Sequence, residues 1–463
     1  MISLVLAALI TASASPAPLI VPTLPPISTA RELPYPASGT PQPGLVSTRQ
    51  DPTVPEMITL DQAVSIAIAR VPALREARFN VDYERATIDS ALAGTRTSIL
   101  VSGSSTWSRS QQTLTSSGPG DSTSNSISLN LSRLIFDGGQ TRAKIAAAVA
   151  TTGSYEATYR RAAQQVAYNV ATAYYDVLSA ERTVAAYLEV LREGVVSENL
   201  VRAQIAAGMA AGADLAGTQY TTAQARTALV RAQGAERTAR VTFATTLGLD
   251  ADTAVLPNDD TAELTQPEPQ ITIPSYAEAL ATAYANRPDL RGAQLDIVAA
   301  RESLRRAQRA RSPSVSSTAS KGLSSFDVSG GSFRNDASLG LNVSIPIYDQ
   351  GLYRANVTAA QATLGRLSAA QRGTTLTVQR DVRDALLSVI SAQSTLDQAR
   401  AEYTSAYRSL RQTQSQYKAG VTTLPSLVQA QTALAQALTD IVNAIYSLRQ
   451  AQAALRYALG SDA

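Results

Sequence analysis

Apolar residues recur along most of the chain at alternating intervals of three and four. In the second half Val382, Ala385, Val389, Ala392, Leu396, Ala399, Tyr403, Ala406 and Leu410 keep this rhythm. After a break so do Leu427, Leu434, Leu438, Ile441, Ile445, Leu448, Leu455 and Leu459, with Gln431 and Gln452 at the two skipped positions. A sustained 3.5-residue period predicts long helices packed as a left-handed coiled coil. No proline falls between Pro119 and Pro257 or between Pro346 and Pro425, so nothing interrupts them. One helix is predicted from Gly139 to about Ala207, a length of ~100 Å. Two shorter ones, Pro72 to about Arg96 and Ala213 to Gly248, together reach ~92 Å. Stacked end to end, the short pair matches the long helix. Proline at 72 and 288 is tolerated at a helix start, and Gly208 and Gly420 read as caps ending the long helices.

Between these helices the period changes to two. Ile127, Leu129 and Leu131 alternate with Ser126, Ser128, Asn130 and Ser132, and Leu339, Leu341, Val343, Ile345 and Ile347 alternate with Ser338, Gly340, Asn342 and Ser344. Apolar on one side and small and polar on the other over about ten residues, this suits a membrane strand with a lipid face and a wet face. Strands are expected at about 98–110, 124–136, 314–326 and 336–348. Trp107, Phe136, Phe326 and Tyr348 fall near strand ends, where an aromatic girdle sits. Four strands cannot close a barrel, and an open edge cannot lie in lipid, so such a chain must oligomerise.

The chain is also a duplication. Leu131 to Gly248 aligns without a gap on Val343 to Gly460 at a shift of 212, so that Ile135-Phe136-Asp137-Gly138-Gly139 falls on Ile347-Tyr348-Asp349-Gln350-Gly351. Upstream, Val71-Pro72-Ala73-Leu74-Arg75 matches Arg287-Pro288-Asp289-Leu290-Arg291 at a shift of 216. The repeats are read as residues 56–249 and 275–463, joined by a linker at 250–274. Ahead of them, residues 1–15 resemble a secretory signal, with the apolar run Ile2 to Ile10 and the small residues Ala12-Ser13-Ala14. Residues 16–55 form a Pro-rich linker.

Composition removes most chemistry. The 463 residues include no Cys and no His, which excludes disulfides, zinc sites and His-based triads. Charged residues make up 17% and aromatics 5%, a content that fits Ala- and Leu-rich helices rather than a compact core. A net charge of +3 is too small for a nucleic-acid binder. Asp137-Gly138-Gly139-Gln140 lacks the lysine and spacing of a phosphate loop, and no carboxylate pair stands isolated in an apolar setting. No catalytic site, cofactor or metal is expected.

The order of elements and several motifs resemble the TolC family of outer-membrane efflux proteins. The carrying residues are Leu60-Asp61-Gln62-Ala63 with Pro72-Ala73-Leu74, and Tyr276-Ala277-Glu278-Ala279-Leu280 with Arg287-Pro288-Asp289-Leu290. Ile135 to Gly139, Tyr417-Lys418-Ala419-Gly420 and Ala458-Leu459-Gly460 add to them. The resemblance covers roughly residues 56 to 460. It implies a mainly α fold with a membrane β part: a long coiled-coil helical barrel joined to a trimeric, 12-stranded transmembrane barrel, four strands per chain. It implies a homotrimeric, passive exit channel in the outer membrane, embedded in outer-membrane lipid. An inner-membrane transporter and a periplasmic adaptor would deliver small molecules or proteins to it. The alternative is a secreted or surface coiled-coil stalk without a pore.

The resemblance puts the tunnel tip at the two helix-helix turns. Asp214 is then an aperture candidate, with Ser426 at its matched position and Gln429 nearby. Read from the residues alone, Asp214 caps the helix starting at Leu215. Gly208, Gly212, Leu215, Gly420, Val421, Leu424 and Pro425 are the candidate adaptor contacts. Asp137 and Asp349 are read as caps on the helices that follow them. The run Arg301, Arg305, Arg306, Arg309 and Arg311 either lines the tunnel, meets anionic headgroups or forms a solvated helix face.

Overall fold

The computed structural model describes residues 57–110, 120–258, 273–326 and 334–461. The expected signal and Pro-rich linker, and most of the linker between repeats, lie outside the described residues. The first repeat runs β1 (Met57–Ile58), α1 (Leu60–Arg70), α2 (Pro72–Ala93), β2 (Ser98–Ser110), β3 (Gly120–Phe136), α3 (Gln140–Ala206) and α4 (Gly212–Thr246). The second runs β4 (Leu256–Pro257), α5 (Tyr276–Asn286), α6 (Pro288–Gln308), β5 (Ser314–Phe326), β6 (Arg334–Ser344), α7 (Leu352–Lys418) and α8 (Leu424–Leu459). The bounds of α3 and α7 differ by the shift of 212 at both ends, and each helix has 67 residues.

Two short helices, α1 and α5, stand where the periodicity gave no separate element. Each opens on a capping box, Thr59 with Gln62 and Ser275 with Glu278. Each ends at the residue before a proline, Val71 or Arg287, whose backbone is extended because the proline ring disfavours helix there. β1 and β4 pair in parallel, Met57 with Leu256 and Ile58 with Pro257. The buried Tyr174 of α3 fastens this pair by donating to the Asn258 carbonyl at 2.6 Å.

The helices form four columns. On one side α3 packs against α2 and α4, on the other against α6 and α8, and α7 packs against α6 and α8 in turn. The order is therefore α2/α4, α3, α6/α8, α7, with each short pair stacked end to end. Gly248 and Gly460, just after α4 and α8, make the stacking possible. Both have left-handed backbone, φ +75° and +72°. A Cβ on Gly248 would lie 3.1 Å from the Arg70 carbonyl carbon, and one on Gly460 would lie 3.0 Å from the Arg287 nitrogen. No side chain fits, and only glycine takes that conformation without strain.

The 3.5-residue seam is the core. Val382, Ala385, Val389, Leu396 and Ala399 of α7 pack with Ile441, Ile445, Leu448 and Leu455 of α8 in one cluster. Ala406, Leu410, Leu427, Leu434 and Leu438 form a second with Ala186 and Val201 of α3. At the skipped positions, Gln431 donates to the Ser197 hydroxyl and the Glu193 carbonyl, and the Gln452 amide nitrogen is buried without a partner.

The strands make one antiparallel sheet in the order β2-β3-β5-β6. β2 and β6 are its open edges. β6 ends at Ser344, short of the expected 348, since Pro346 has no N–H to extend a ladder. Tyr348 therefore lies beyond the strand, 83% exposed.

Candidate functional site

Strand register decides what each face of the sheet presents. Ile99 pairs with Leu131, Leu131 with Ala319, and Ala319 with Leu339. One step along, Val101, Leu129, Lys321 and Ala337 make the next row. This face is apolar and open, with Ile99 67% and Leu339 85% exposed. Trp107 shares it at one end, by alternation from Ile99, and Arg133 interrupts it near the other, opposite Ser317. A register shift between Leu134 and Phe136 sets Phe136 opposite Val315, on the same face. Phe326 closes β5 opposite Ser124, and its side chain lies outside the described residues.

The opposite face is a lattice of hydroxyls, interrupted by Leu100 opposite Asn130 and Leu134 opposite Ser316. Ser98 meets Ser132 at 2.7 Å, Ser102 meets Ser128 at 2.8 Å, Ser104 meets Ser126 at 2.9 Å and Ser320 meets Ser338 at 2.8 Å. Asn130 donates to Ser128 and Ser102, and Asn342 to Thr318. Charge enters this face only near the β6 start among the described side chains, at Arg334 and Asp336. Such a surface is wettable and nearly neutral.

The bends from strand to long helix repeat one device. Asp137 accepts from the Gly139 and Thr141 N–H groups at 2.9 and 2.6 Å, and Asp349 from those of Gly351 and Tyr353 at 3.4 and 2.7 Å. Both aspartates thus cap α3 and α7 from outside the helix, and left-handed Gly139 and Gly351 turn the chain.

At the far end two turns lie side by side. Gly208 and Gly420, φ +74° and +71°, close α3 and α7 in Schellman motifs: Met209 N–H to Gln204 O at 2.8 Å, and Val421 N–H to Gln416 O at 2.9 Å. α4 starts at Gly212 after an extended Ala211, with no side-chain cap. Asp214 is therefore not the N-cap expected for a helix starting at Leu215. It is the third residue of the first turn, where its charge favours the helix N-terminus. Its carboxylate is close enough to the buried Tyr417 to matter: burial raises the phenol above its ordinary value, and Asp214 adds to the rise. The Gln204 side chain donates to the Tyr417 carbonyl at 3.3 Å, tying the two turns together.

Ser426 lies in the first turn of α8, its hydroxyl 3.2 Å from that of Thr423. Gln429 is exposed. Of the candidate contact residues, Gly208, Gly212, Gly420, Val421 and Pro425 are exposed. Leu424 is buried, and Leu215 packs against its cluster, so both hold the tip together rather than face outward. Tyr417 and the exposed Met209 belong to the tip as well. Met209 is 73% exposed although it follows the capping glycine, a position that a Schellman motif commonly packs against the preceding turn, so the sequence carried no signal for it.

A second polar centre escaped the sequence reading although its residues stand in the quoted motif. The Arg287 guanidinium is 3% exposed and bonds Asp289 at 2.7 Å and Asp381 at 3.2 Å. Burial pushes the Asp289 carboxyl up, but the hydrogen bond and charge of Arg287, helped by Arg161, bring it below its ordinary value. Arg161 lies over the Tyr457 ring at 3.6 Å and donates to the Tyr457 carbonyl at 2.9 Å. Gln164 donates to the Gly460 carbonyl at 2.8 Å. The centre clamps the end of α8 onto the start of α6 and onto α3.

The family described as outer membrane efflux protein matches residues 63–249 and again 279–461, and the chain belongs to that family. It is similar to the outer membrane efflux protein BepC of Brucella suis biovar 1, 28% identical over 282 residues that cover 60% of this chain and 58% of that protein. It is similar also to the outer membrane protein TolC of Escherichia coli, 26% identical over 319 residues, 66% of this chain and 63% of TolC. The matched region thus spans less than two thirds of either relative. Among solved structures, a membrane protein from Pseudomonas aeruginosa superposes with a TM-score of 0.76 at 24% identity, over 87% of this chain and 93% of that one. The MtrE outer membrane channel of Neisseria gonorrhoeae gives 0.73 at 22%, over 87% and 89%. The fold is that of these channels: helical columns continuing into a small β part.

Proposed function

We propose that three copies of this chain form a passive exit duct across the outer membrane, one end a 12-stranded barrel and the other a tunnel of twelve helical columns. The observation that carries this reading is the sheet with two open edges, one apolar face and one hydroxyl face, continuous with the helical wall. Edges β2 and β6 would pair between neighbours, the apolar face would meet lipid, and the serine face would line the lumen. A stalk without a pore leaves that sheet without a use. The duct supplies no energy; an inner-membrane pump and a periplasmic adaptor would deliver small molecules or proteins to the tip. Exposed Gly208, Met209, Gly420, Val421 and Pro425 are the surface offered to the adaptor. Three Asp214 carboxylates would ring the aperture and attract cations. Trp107, Phe136 and Tyr348 would stand in the aromatic girdles.

Reconstitution of the purified protein in planar bilayers tests this. Stepwise conductance is expected, blocked by multivalent cations, and Asp214→Asn should relieve the block. Absence of conductance from inserted protein would sink the duct. Conductance with an unchanged block would leave the duct standing and remove Asp214 from the aperture.

A further inference from the structure

Charge is distributed unevenly along the chain. The stretches that flank the helix-side ends of the strands (85–96, 133–148, 301–311 and 349–360) hold eleven Lys and Arg against four Asp and Glu, a net +7. The whole chain carries +3, so everything else together is net negative. Most of the basic stretch at the end of α6 has no counterpart in α2: at the shift of 216, Arg301 falls on Arg85, but Arg305, Arg306 and Arg309 fall on Asp89, Ser90 and Ala93. Arg305 pairs with Glu302, Arg311 with Asp349 at 2.9 Å, and Arg309 donates to the Gly139 carbonyl at 3.3 Å. Arg133, Arg301 and Arg306 have no ion-pair partner among the described residues.

Where these cations point follows from geometry. Arg133 is exposed and lies on the apolar face of β3, the face toward lipid. α6 has α3 on one flank and α7 on the other, which leaves it two open faces. At about 100° per residue, Arg301 and Arg305 sit about 40° apart, and Arg306 lies about 140° from Arg301. Arg309, reaching α3, falls between them, so the unpaired arginines occupy both open faces. Whichever of these looks outward carries one. Beside them at the same level stand Phe136 and the exposed Tyr348, ring side chains of the kind that settle at headgroup depth.

Resting on the outer-membrane reading, we propose that this belt binds the phosphates of anionic phospholipids in the periplasmic leaflet, with Arg133 and the outward arginine of α6 as the principal ligands. A guanidinium meets a phosphate through two parallel hydrogen bonds, a geometry a neutral headgroup's compensated charge does not reward equally.

Native mass spectrometry of the purified full-length protein provides the test, with phosphatidylglycerol and phosphatidylcholine of the same chains supplied in equal amounts. Phosphatidylglycerol should be retained in excess, and each of Arg133→Gln and the pair Arg301→Gln with Arg306→Gln should lower that excess by about fivefold per outward arginine removed. Arg133→Lys keeps the charge but loses the two-bond fork, so it should retain part of the excess, which separates charge from a folding defect. Equal retention of the two lipids, or an excess indifferent to all three variants, overturns the proposal. So does a change of reversal potential in Arg301→Gln or Arg306→Gln with no change in lipid retention, which would turn the belt toward the lumen. Failure of the protein to enter membranes at all would instead defeat the channel reading.

Discussion

Arg287 is the side chain on which the join between stacked helices depends. Removing it leaves Asp289 with only the charge of Arg161 and Asp381 with only the exposed Arg380 at 3.0 Å, so Arg287→Ala should cost about 3 kcal/mol, the low end for breaking a buried pair, visible as a lowered melting temperature. The pH dependence has a definite sign. Because the folded Asp289 carboxyl is held below its ordinary value, its contribution is complete above the unfolded value of about 3.9 and is lost as pH falls below it. Melting temperatures of wild type and Asp289→Asn should therefore converge as acid is added below about pH 4; parallel curves would contradict the ion pair. Glycines give a second comparison at this scale. Gly420 has open space around its Cβ position, whereas Gly460 faces Arg287. Gly420→Ala should cost about 1–2 kcal/mol, the strain of a left-handed backbone alone, and Gly460→Ala clearly more. The sequence displayed Arg287-Pro288-Asp289 and Leu459-Gly460 as repeat markers without showing that they touch. Residues 171 positions apart are joined here by the Arg287 bond to the Ala458 carbonyl, and periodicity carries no information at that range.

At the scale of elements, the long helices were legible almost to the residue, because a 3.5-residue stripe uninterrupted by proline allows little else. α1 and α5 were not separated from their neighbours, although Thr59-x-x-Gln62 and Ser275-x-x-Glu278 announce them, since eleven residues are too few for a period to declare itself. The strands with strict alternation, β3 and β6, were clear. β2 and β5 were weaker because their apolar face is diluted by Gly103, Ser105, Ser317 and Lys321. Lys321 stands mid-strand on that face between Leu129 and Ala337, six residues from Val315 and five from Phe326. A lysine on the lipid side costs up to about 2–4 kcal/mol near the bilayer midplane. Lys321→Leu should thus stabilise the membrane-inserted protein, raising the denaturant concentration at which reconstituted barrels unfold; a loss of stability would mean that this face does not meet lipid. The tip was legible as a place but not as a packing: the sequence shows two turns, while the inward rotation of Leu424 and Leu215 depends on α3 and α8 lying side by side.

The whole molecule repeats one plan twice, and the shift of 212 that relates the halves reappears in the bounds of α3 and α7. What the sequence could not fix is which columns touch across the repeats, and the structure sets α3 between its own short helices and those of the second half. That arrangement leaves α7 and α2/α4 at opposite margins of the wall, as β6 and β2 are of the sheet. Since the chain has no cysteine, one introduced pair reports on these margins directly. Ile99→Cys on β2, combined in turn with Cys at Leu339, Leu341 or Val343 on β6, should oxidise to bonds between chains that run as dimers and trimers on denaturing gels. Cross-links confined within single chains would deny the ring.

The open margins of β2 and β6 also set the terms on which the barrel comes into being. A lone chain has two unmade ladders, and its sheet has no closed form of its own, so the proposed barrel would exist only by mass action among three copies. While chains outnumber rings, halving their supply lowers the equilibrium yield of rings about eightfold. Abundance of the proposed duct would then follow synthesis as a steep power rather than in proportion, so that a fall in translation or export would be amplified in the number of rings.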